Sequence, residues 1–322
     1  MTDYNVDGYI VSVNVADHKG VRKDPVESIT LVVDHGVEGD AHAGPWHRQV
    51  SLLAQESIDK MLAACPTVDP GAFGENITTS GIVPYELPIG ARFYAGETLL
   101  EVTQIGKECH DRCAIFHQAG DCVMPREGIF AKVIEGGEIY PGNGIVFLKA
   151  SLIVAGVLTI SDKGSRGERE DTSGDALEEG LKALGVASVE RAIVPDEPDR
   201  IAAELRRWAD ETAVNLILTT GGTGMTTRDV TPEATLTVLE RQAPGFAEAM
   251  RAGSLAVTPH AMISRAVSGT RGRTLIINMP GSPGACRDQF KIIAPALAHA
   301  VEKLADRGGD CAPPSPPRAP QG

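Results

Sequence analysis

The chain has 322 residues, 42% of them hydrophobic and 23% charged, with a formal net charge of −13; this length suits two domains rather than one small core. The negative charge opposes any broad attraction to nucleic acid or to anionic lipid, and no apolar run reaches the roughly 20 residues a membrane helix needs. The first residues carry neither a signal-peptide nor a transit-peptide pattern, so the expected address is cytoplasmic, with the six sparse cysteines reduced.

Residues 8–148 predict a strand-rich, barrel-like domain. Short β-branched or alternating runs fall at 8–14, 29–33 and 98–103, and glycine and proline punctuate them at Gly71, Gly74, Gly81, Pro84, Pro88, Gly90 and Gly96. A helix is predicted over 53–64 and a second, shorter one near 129–134. Between them, Lys107, His110 and Arg112 flank Cys109, and cationic neighbours favour a reactive thiolate. Cys109, Cys113 and His117 also recur every four residues with Cys122 beyond, a pattern open to a zinc reading. The plain alternative is that these thiols are buried small hydrophobes.

After Tyr140-Pro-Gly-Asn-Gly144 the pattern changes. Buried-strand runs at 152–160, 215–219 and 274–278 alternate with helical patterns at 172–184, 198–211, 231–239, 245–252 and 287–304. This alternation predicts a three-layer α/β domain with a largely parallel sheet covered on both faces. The expected division is 1–149, 150–307 and a Pro-rich tail, 308–322, too poor in apolar residues to fold.

The segment Thr219-Thr-Gly-Gly-Thr-Gly224 leaves a predicted strand for a turn in which Gly221, Gly222 and Gly224 carry no Cβ, so that backbone N–H groups can approach phosphate oxygens. It is neither a P-loop nor a dinucleotide fingerprint. Thr231-Pro232-Glu233 then reads as a helix start with Thr231 as cap and Pro232 in the first turn. Asp229 lies between cradle and helix. A carboxylate beside phosphates requires a bridging cation, which implies Mg²⁺. A second acid, Asp196, Ser161-Asp162, and Asn278-Met-Pro-Gly-Ser-Pro-Gly284 sit at other strand ends, where open α/β sheets bind ligands. Each feature alone is more ordinarily a turn or a cap; their joint occurrence favours a site.

Taken together, Ser161-Asp162, Asp171-Thr-Ser-Gly174, Val194-Pro-Asp196, Thr219-Thr-Gly-Gly-Thr-Gly224, Arg228-Asp-Val-Thr-Pro-Glu233, Ser264-Arg265 and Pro280-Gly-Ser-Pro-Gly284 closely resemble the MogA/MoaB molybdopterin adenylyltransferase family over residues 151–305. The resemblance implies Mg²⁺-dependent transfer of adenylate from ATP to molybdopterin, releasing pyrophosphate, in a trimer-forming domain that works with other molybdenum-cofactor assembly proteins. It implies catalytic and metal-handling roles for Asp196 and Asp229. Binding roles fall to Ser161, Asp162, Thr220, Gly221, Gly222, Thr223, Gly224, Ser264, Arg265, Pro280, Gly281, Ser282 and Gly284. In the N-terminal half, Val33-Asp-His-Gly-Val-Glu-Gly-Asp-Ala-His42, Arg48-Gln-Val-Ser51, Phe73-Gly-Glu-Asn-Ile-Thr-Thr-Ser-Gly-Ile82, Ile89-Gly90 and Lys107-Glu-Cys109 resemble the MOSC family. That resemblance implies pterin-cofactor binding and sulfur handling through Cys109, although Glu108 stands where the family has proline. Two other functions share these features: a non-catalytic molybdopterin carrier or scaffold, and a related nucleotide hydrolase.

Overall fold

The computed structural model describes residues 6–107, 116 and 120–305. Cys109, Cys113 and His117, with the neighbouring Glu108, His110 and Arg112, lie outside the described residues, as does the 308–322 tail. In the N-terminal half the strands are β1 (Gly8–Val15), β2 (Asp24–Val26), β3 (Ile29–Val32), β4 (Gly36–Val37), β5 (Val50–Ala54), β6 (Ile77–Ser80), β7 (Arg92–Ala95), β8 (Thr98–Ile105), β9 (Ile129–Glu135), β10 (Gly137–Ile139) and β11 (Gly144–Phe147). Seven of them pair in the order β11-β7-β8-β9-β5-β6-β1, and pairing of β1 with β11 closes the barrel. β2 extends β1, while β10, β3 and β4 form a small separate sheet. Closure leaves the seven barrel strands without a free edge among themselves.

Strand alternation accounts for the barrel core. In β1 and β3, buried residues alternate with exposed ones, and Ile10, Val13, Leu52, Ile77, Phe93, Leu100, Ile129 and Val133 pack inward. Each such side chain contributes roughly 1.5–3 kcal/mol on leaving water. The helix expected near 129–134 is instead β9, paired with both β5 and β8. Its Ile129, Phe130, Ala131 and Val133 are all buried, and burial on a central strand outweighs the local helical reading. The helix expected over 53–64 shrinks to α1 (Gln55–Asp59), because Leu53 and Ala54 belong to β5. Leu53, Ile58, Met61, Phe73, Cys122, Met124 and Phe130 form a second cluster beside the barrel, which includes the short α2 (Met124–Glu127).

The C-terminal half contains β12 (Val154–Ile160), α3 (Asp162–Ser165), α4 (Thr172–Leu184), β13 (Ser188–Val194), α5 (Pro198–Glu211), β14 (Leu216–Thr220), α6 (Thr231–Leu236), β15 (Arg241–Gln242), α7 (Gly245–Leu255), β16 (Ser268–Arg271), β17 (Thr274–Met279) and α8 (Pro283–Leu304). The sheet order is β13-β12-β14-β17-β16-β15. It is a mixed sheet: β13, β12, β14 and β17 run parallel, whereas β16 and β15 add an antiparallel edge. The two-residue turn Gly272-Arg273 makes the β16–β17 hairpin, with Gly272 at φ +52°.

Alternate residues of each central strand face opposite cores. Val157, Leu218 and Ile277 pack with α4, α7 and α8, whereas Leu158, Ile217 and Ile276 pack with α5 and α6. Gly156 is required where β12 meets α5, since a Cβ there would stand 2.5 Å from the Trp208 ring. The two halves join without a free linker: Leu152 packs into the barrel core and the next residue, Ile153, into the sheet core. A 2.7 Å ion pair from Lys149 to the nearly buried Glu302 of α8 ties the junction.

Candidate functional site

Four parallel strands deliver their C-terminal ends to one side of the sheet, and the loops that follow surround a cavity of about 250 Å³. Ser161 follows β12, Asp196 follows β13, Gly221 and Gly222 follow β14, and Gly281 follows β17. The wall opposite is Arg169, Glu170 and the N-terminal turn of α4, with Asp171, Thr172 and Ser173. Helix α4 begins there because the Asp171 side chain accepts a hydrogen bond from the Gly174 amide, 3.0 Å away. The other Asp171 oxygen accepts from the Thr159 hydroxyl at 2.8 Å and pairs with Arg191.

The glycine loop has the geometry of an anion cradle. Gly221 and Gly222 have φ of +100° and +63°, a region that favours glycine. A Cβ on Gly221 would stand 2.3 Å from the Ile160 carbonyl oxygen, and one on Gly222 would stand 2.4 Å from Thr231 Oγ1 and 3.4 Å from Asp196 Oδ1. Among the described residues, the amides of Gly222, Thr223 and Gly224 donate no hydrogen bond. Consecutive unpaired N–H groups in a concavity require water or an anionic ligand. Thr231, expected to cap the following helix, instead donates its hydroxyl to the Gly221 carbonyl at 2.9 Å, while Val230 occupies the cap position without a side-chain bond. The hydroxyl therefore fixes the loop rather than the helix.

The acids form a connected set. The Asp162 amide donates to Asp196 Oδ2 at 2.8 Å, and the Asp196 amide donates to Asp162 Oδ1 at 3.1 Å. Arg228 forks onto the Asp162 carboxylate, with two contacts of 2.7 Å, which lowers the Asp162 pKa. Burial raises the Asp196 pKa, and the nearby charges of Asp162 and Asp229 act in the same direction. Asp229 Oδ2 accepts from the Thr226 amide at 2.7 Å. Among the described residues, Asp196 Oδ1 and Asp229 Oδ1 have no hydrogen-bond partner, and no three His, Cys, Asp or Glu side chains gather as a closed metal site. One or two carboxylates with the remaining ligands from phosphate and water is the usual arrangement for Mg²⁺, so this pair fits that ion.

Of the residues singled out from the sequence, Ser161, Asp196, Thr220, Gly221, Gly222 and Gly281 line the cavity. Asp162, Thr223, Gly224 and Asp229 stand directly behind or beside them. Ser264, Arg265, Pro280, Ser282 and Gly284 are not part of its wall. Ser282 caps α8 through the Ala285 amide, the Pro280 carbonyl accepts from Thr220 at 2.6 Å, and Arg265 faces the glycine loop from outside. Residues 169–173 had no assigned binding role, although Asp171-Thr-Ser-Gly174 carries the composition of a helix cap and so marked the spot.

In the barrel, Asp40, Glu75 and Asn76 converge with Lys23 in the interior. Lys23 Nζ lies 2.5 Å from Asp40 Oδ2, and their side chains are 1% and 2% exposed. Asn76 and the Ala16 amide also donate to Asp40, while Glu75 accepts from the Gly71 and Phe73 amides. These groups satisfy one another and form a polar scaffold rather than a vacant site. The proposed thiolate and zinc ligands Cys109, Cys113 and His117 fall outside the described residues, and Cys122 is buried in the cluster beside the barrel.

Residues 156–299 match the family described as a probable molybdopterin binding domain, and residues 39–146 match the MOSC domain family. A molybdopterin adenylyltransferase of Helicobacter pylori is 43% identical over 151 residues, which are 46% of this chain and 86% of the relative. The molybdopterin adenylyltransferase of Escherichia coli is 40% identical over 148 residues, 45% of this chain and 76% of the relative. The molybdenum cofactor synthesis protein cinnamon of Drosophila melanogaster is 43% identical over 155 residues, 48% of this chain and 26% of the relative.

Proposed function

The chain belongs to the molybdopterin adenylyltransferase family through its C-terminal half and carries a MOSC domain in its N-terminal half, and we propose that it acts in molybdenum-cofactor biosynthesis by adenylylating molybdopterin. The observation that carries this reading is the run of unpaired amides at Gly222, Thr223 and Gly224, which begins in the cavity wall beside Asp196 and ends next to Asp229. An oxygen of the pterin's terminal phosphate attacks the α-phosphorus of ATP, and the bond to pyrophosphate breaks. The nucleophile is already an anion, so no side chain has to remove a proton. The protein's task is to hold two polyanions in line and stabilise the charge that moves between them.

The loop amides would take oxygens of one phosphate group, and the N-terminus of α4 would face a second. Asp196 and Asp229 would hold Mg²⁺, which neutralises phosphate charge when bound. The network from Arg228 through Asp162 to Asp196 supports this role by fixing the Asp196 main chain. In the N-terminal half, pterin-cofactor or sulfur handling through Cys109 is proposed on the MOSC relationship alone. Fusion would raise the concentration of adenylylated product near the barrel.

A homo-oligomer, a trimer by analogy with the family, agrees with the apolar side chains that Val257, Met262 and Ile263 leave exposed. Among the described residues no helix is long and apolar enough to cross a membrane, and a cytoplasmic site of action follows from the proposed pathway. The test is incubation with Mg-ATP and molybdopterin, followed by mass analysis and pyrophosphate detection. Adenylylated pterin with equimolar pyrophosphate is expected. Pyrophosphate or phosphate release without pterin would identify a hydrolase, and pterin binding without product would identify a carrier.

A further inference from the structure

We propose that Arg265 is a positioning residue that sets the place of Asp229 by clamping both ends of the loop between them; this rests on the adenylyl-transfer reading given above. Arg265 Nε donates to the Gly224 carbonyl at 2.6 Å, and its Nη2 donates to the Asp229 carbonyl. Nη1 pairs with Glu233, and the Arg265 amide donates to the Thr223 carbonyl at 3.0 Å. One planar group thus joins the start of the loop, its end and the first turn of α6.

Between the two clamped carbonyls, residues 225–228 are exposed. The Asp229 amide donates to the Thr226 carbonyl at 3.1 Å, while the Asp229 carboxylate accepts from the Thr226 amide. This small closed turn aims the carboxylate, and one tie from within it runs from Arg228 to Asp162 beyond β12. Arg265 supplies the second, from the segment entering β16, and holds the main chain at both ends of the turn. A Cβ on Gly224 would approach Asp229 Oδ2 to 3.0 Å, so a shift between these two positions is felt at the carboxylate directly.

The guanidinium's planar fork can reach both carbonyls at once, whereas a lysine ammonium is a single point. Arg265→Lys is therefore expected to behave as a loss. In the free full-length protein, amide hydrogen exchange at Thr226 and Asp229, whose amides close the turn, should quicken at least tenfold, with the rest of the sheet unchanged. In turnover assays kcat should fall roughly a hundredfold, the effect expected of a displacement near 1 Å. The Mg²⁺ concentration for half-maximal rate should rise, while KM for molybdopterin stays within twofold. Glu233→Gln, which leaves both carbonyl bonds in place, should retain exchange and turnover within about twofold and controls for global destabilisation.

Unchanged exchange at Thr226 and Asp229 in Arg265→Lys would overturn the clamp, whatever happened to the rate. Weakened molybdopterin affinity with wild-type Mg²⁺ dependence would also overturn it, by making Arg265 a ligand contact. If the wild-type protein made no adenylylated pterin, the functional reading would fail, while the exchange result would still decide the clamp.

Discussion

Gly222→Ala tests the cradle at its tightest point. At φ +63° an L-residue pays roughly 1–2 kcal/mol. The added methyl would also meet Thr231 Oγ1 at 2.4 Å, and Thr231 is fully buried with its hydroxyl committed to Gly221. Rotating that hydroxyl away leaves a buried carbonyl unpaired, at a cost of about 1–3 kcal/mol. The sum, roughly 2–5 kcal/mol, corresponds to a fall in melting temperature of about 4–20 °C for a domain of this size. Adenylylation should fall at least a hundredfold, because the methyl points toward Asp196, only 3.4 Å from Oδ1. The double variant with Thr231→Ala removes the collision but not the backbone strain. Calorimetry should therefore find it more stable than the sum of the single effects by about 1 kcal/mol or more. Additive stabilities, or a Gly222→Ala protein with wild-type melting and turnover, would show that this account of the loop is wrong.

Asp229→Asn should retain the fold and lose adenylylation at limiting Mg²⁺, with partial recovery at high Mg²⁺ in a titration of initial rates. Lys23→Met should destabilise the barrel by about 3–5 kcal/mol, because it strands a buried carboxylate; urea denaturation followed by barrel-specific fluorescence would measure it. Burial works against the Asp40 carboxylate, but hydrogen bonds from His42 and Lys23 outweigh it and hold its pKa below the ordinary 3.8. A depressed folded pKa contributes stability above the unfolded value and loses it as pH falls toward the folded one. Barrel stability should accordingly decline below about pH 4, and a pH series of melting curves for wild type and Lys23→Met/Asp40→Asn should converge there. Burial pushes the Cys286 thiol up to about 11, and iodoacetamide at pH 7.5 should label it only after denaturation.

Three of the four parallel strands, β12, β14 and β17, were legible as apolar runs, and β14 with the glycine loop could be placed to within a residue; β13, Ser-Val-Glu-Arg-Ala-Ile-Val at the sheet edge, is not such a run. The antiparallel edge was not legible either. β15 has two residues and β16 the sequence Ser-Gly-Thr-Arg, too short and polar to register as buried strand, and only Gly272 marks the hairpin from β16 to β17. Thr231 misled for a different reason. A threonine before proline is a good cap by composition, but the cap competes with a buried carbonyl that no local pattern reveals. Arg265 is a case at longer range: the motif marks it as a binding residue, and no local pattern shows that its side chain donates to the carbonyls of Gly224 and Asp229.

Net charge adds a constraint on how the site can work. The chain carries −13, and the cavity's charged side chains are Glu170, Asp171 and Asp196 against Arg169. Two phosphorylated ligands would enter a locally acidic place, so long-range attraction cannot gather them. What remains is fixed in the main chain: amides turned outward by positive φ at Gly221 and Gly222, and the first turn of α4. Such dipoles act only at contact and need no reorganisation when charge moves. They also explain why glycine is needed where a lysine would be expected in a P-loop. A cation on the loop would pair with Asp196 and Asp229, the carboxylates proposed to hold Mg²⁺, whereas backbone donors leave Oδ1 of each without a partner.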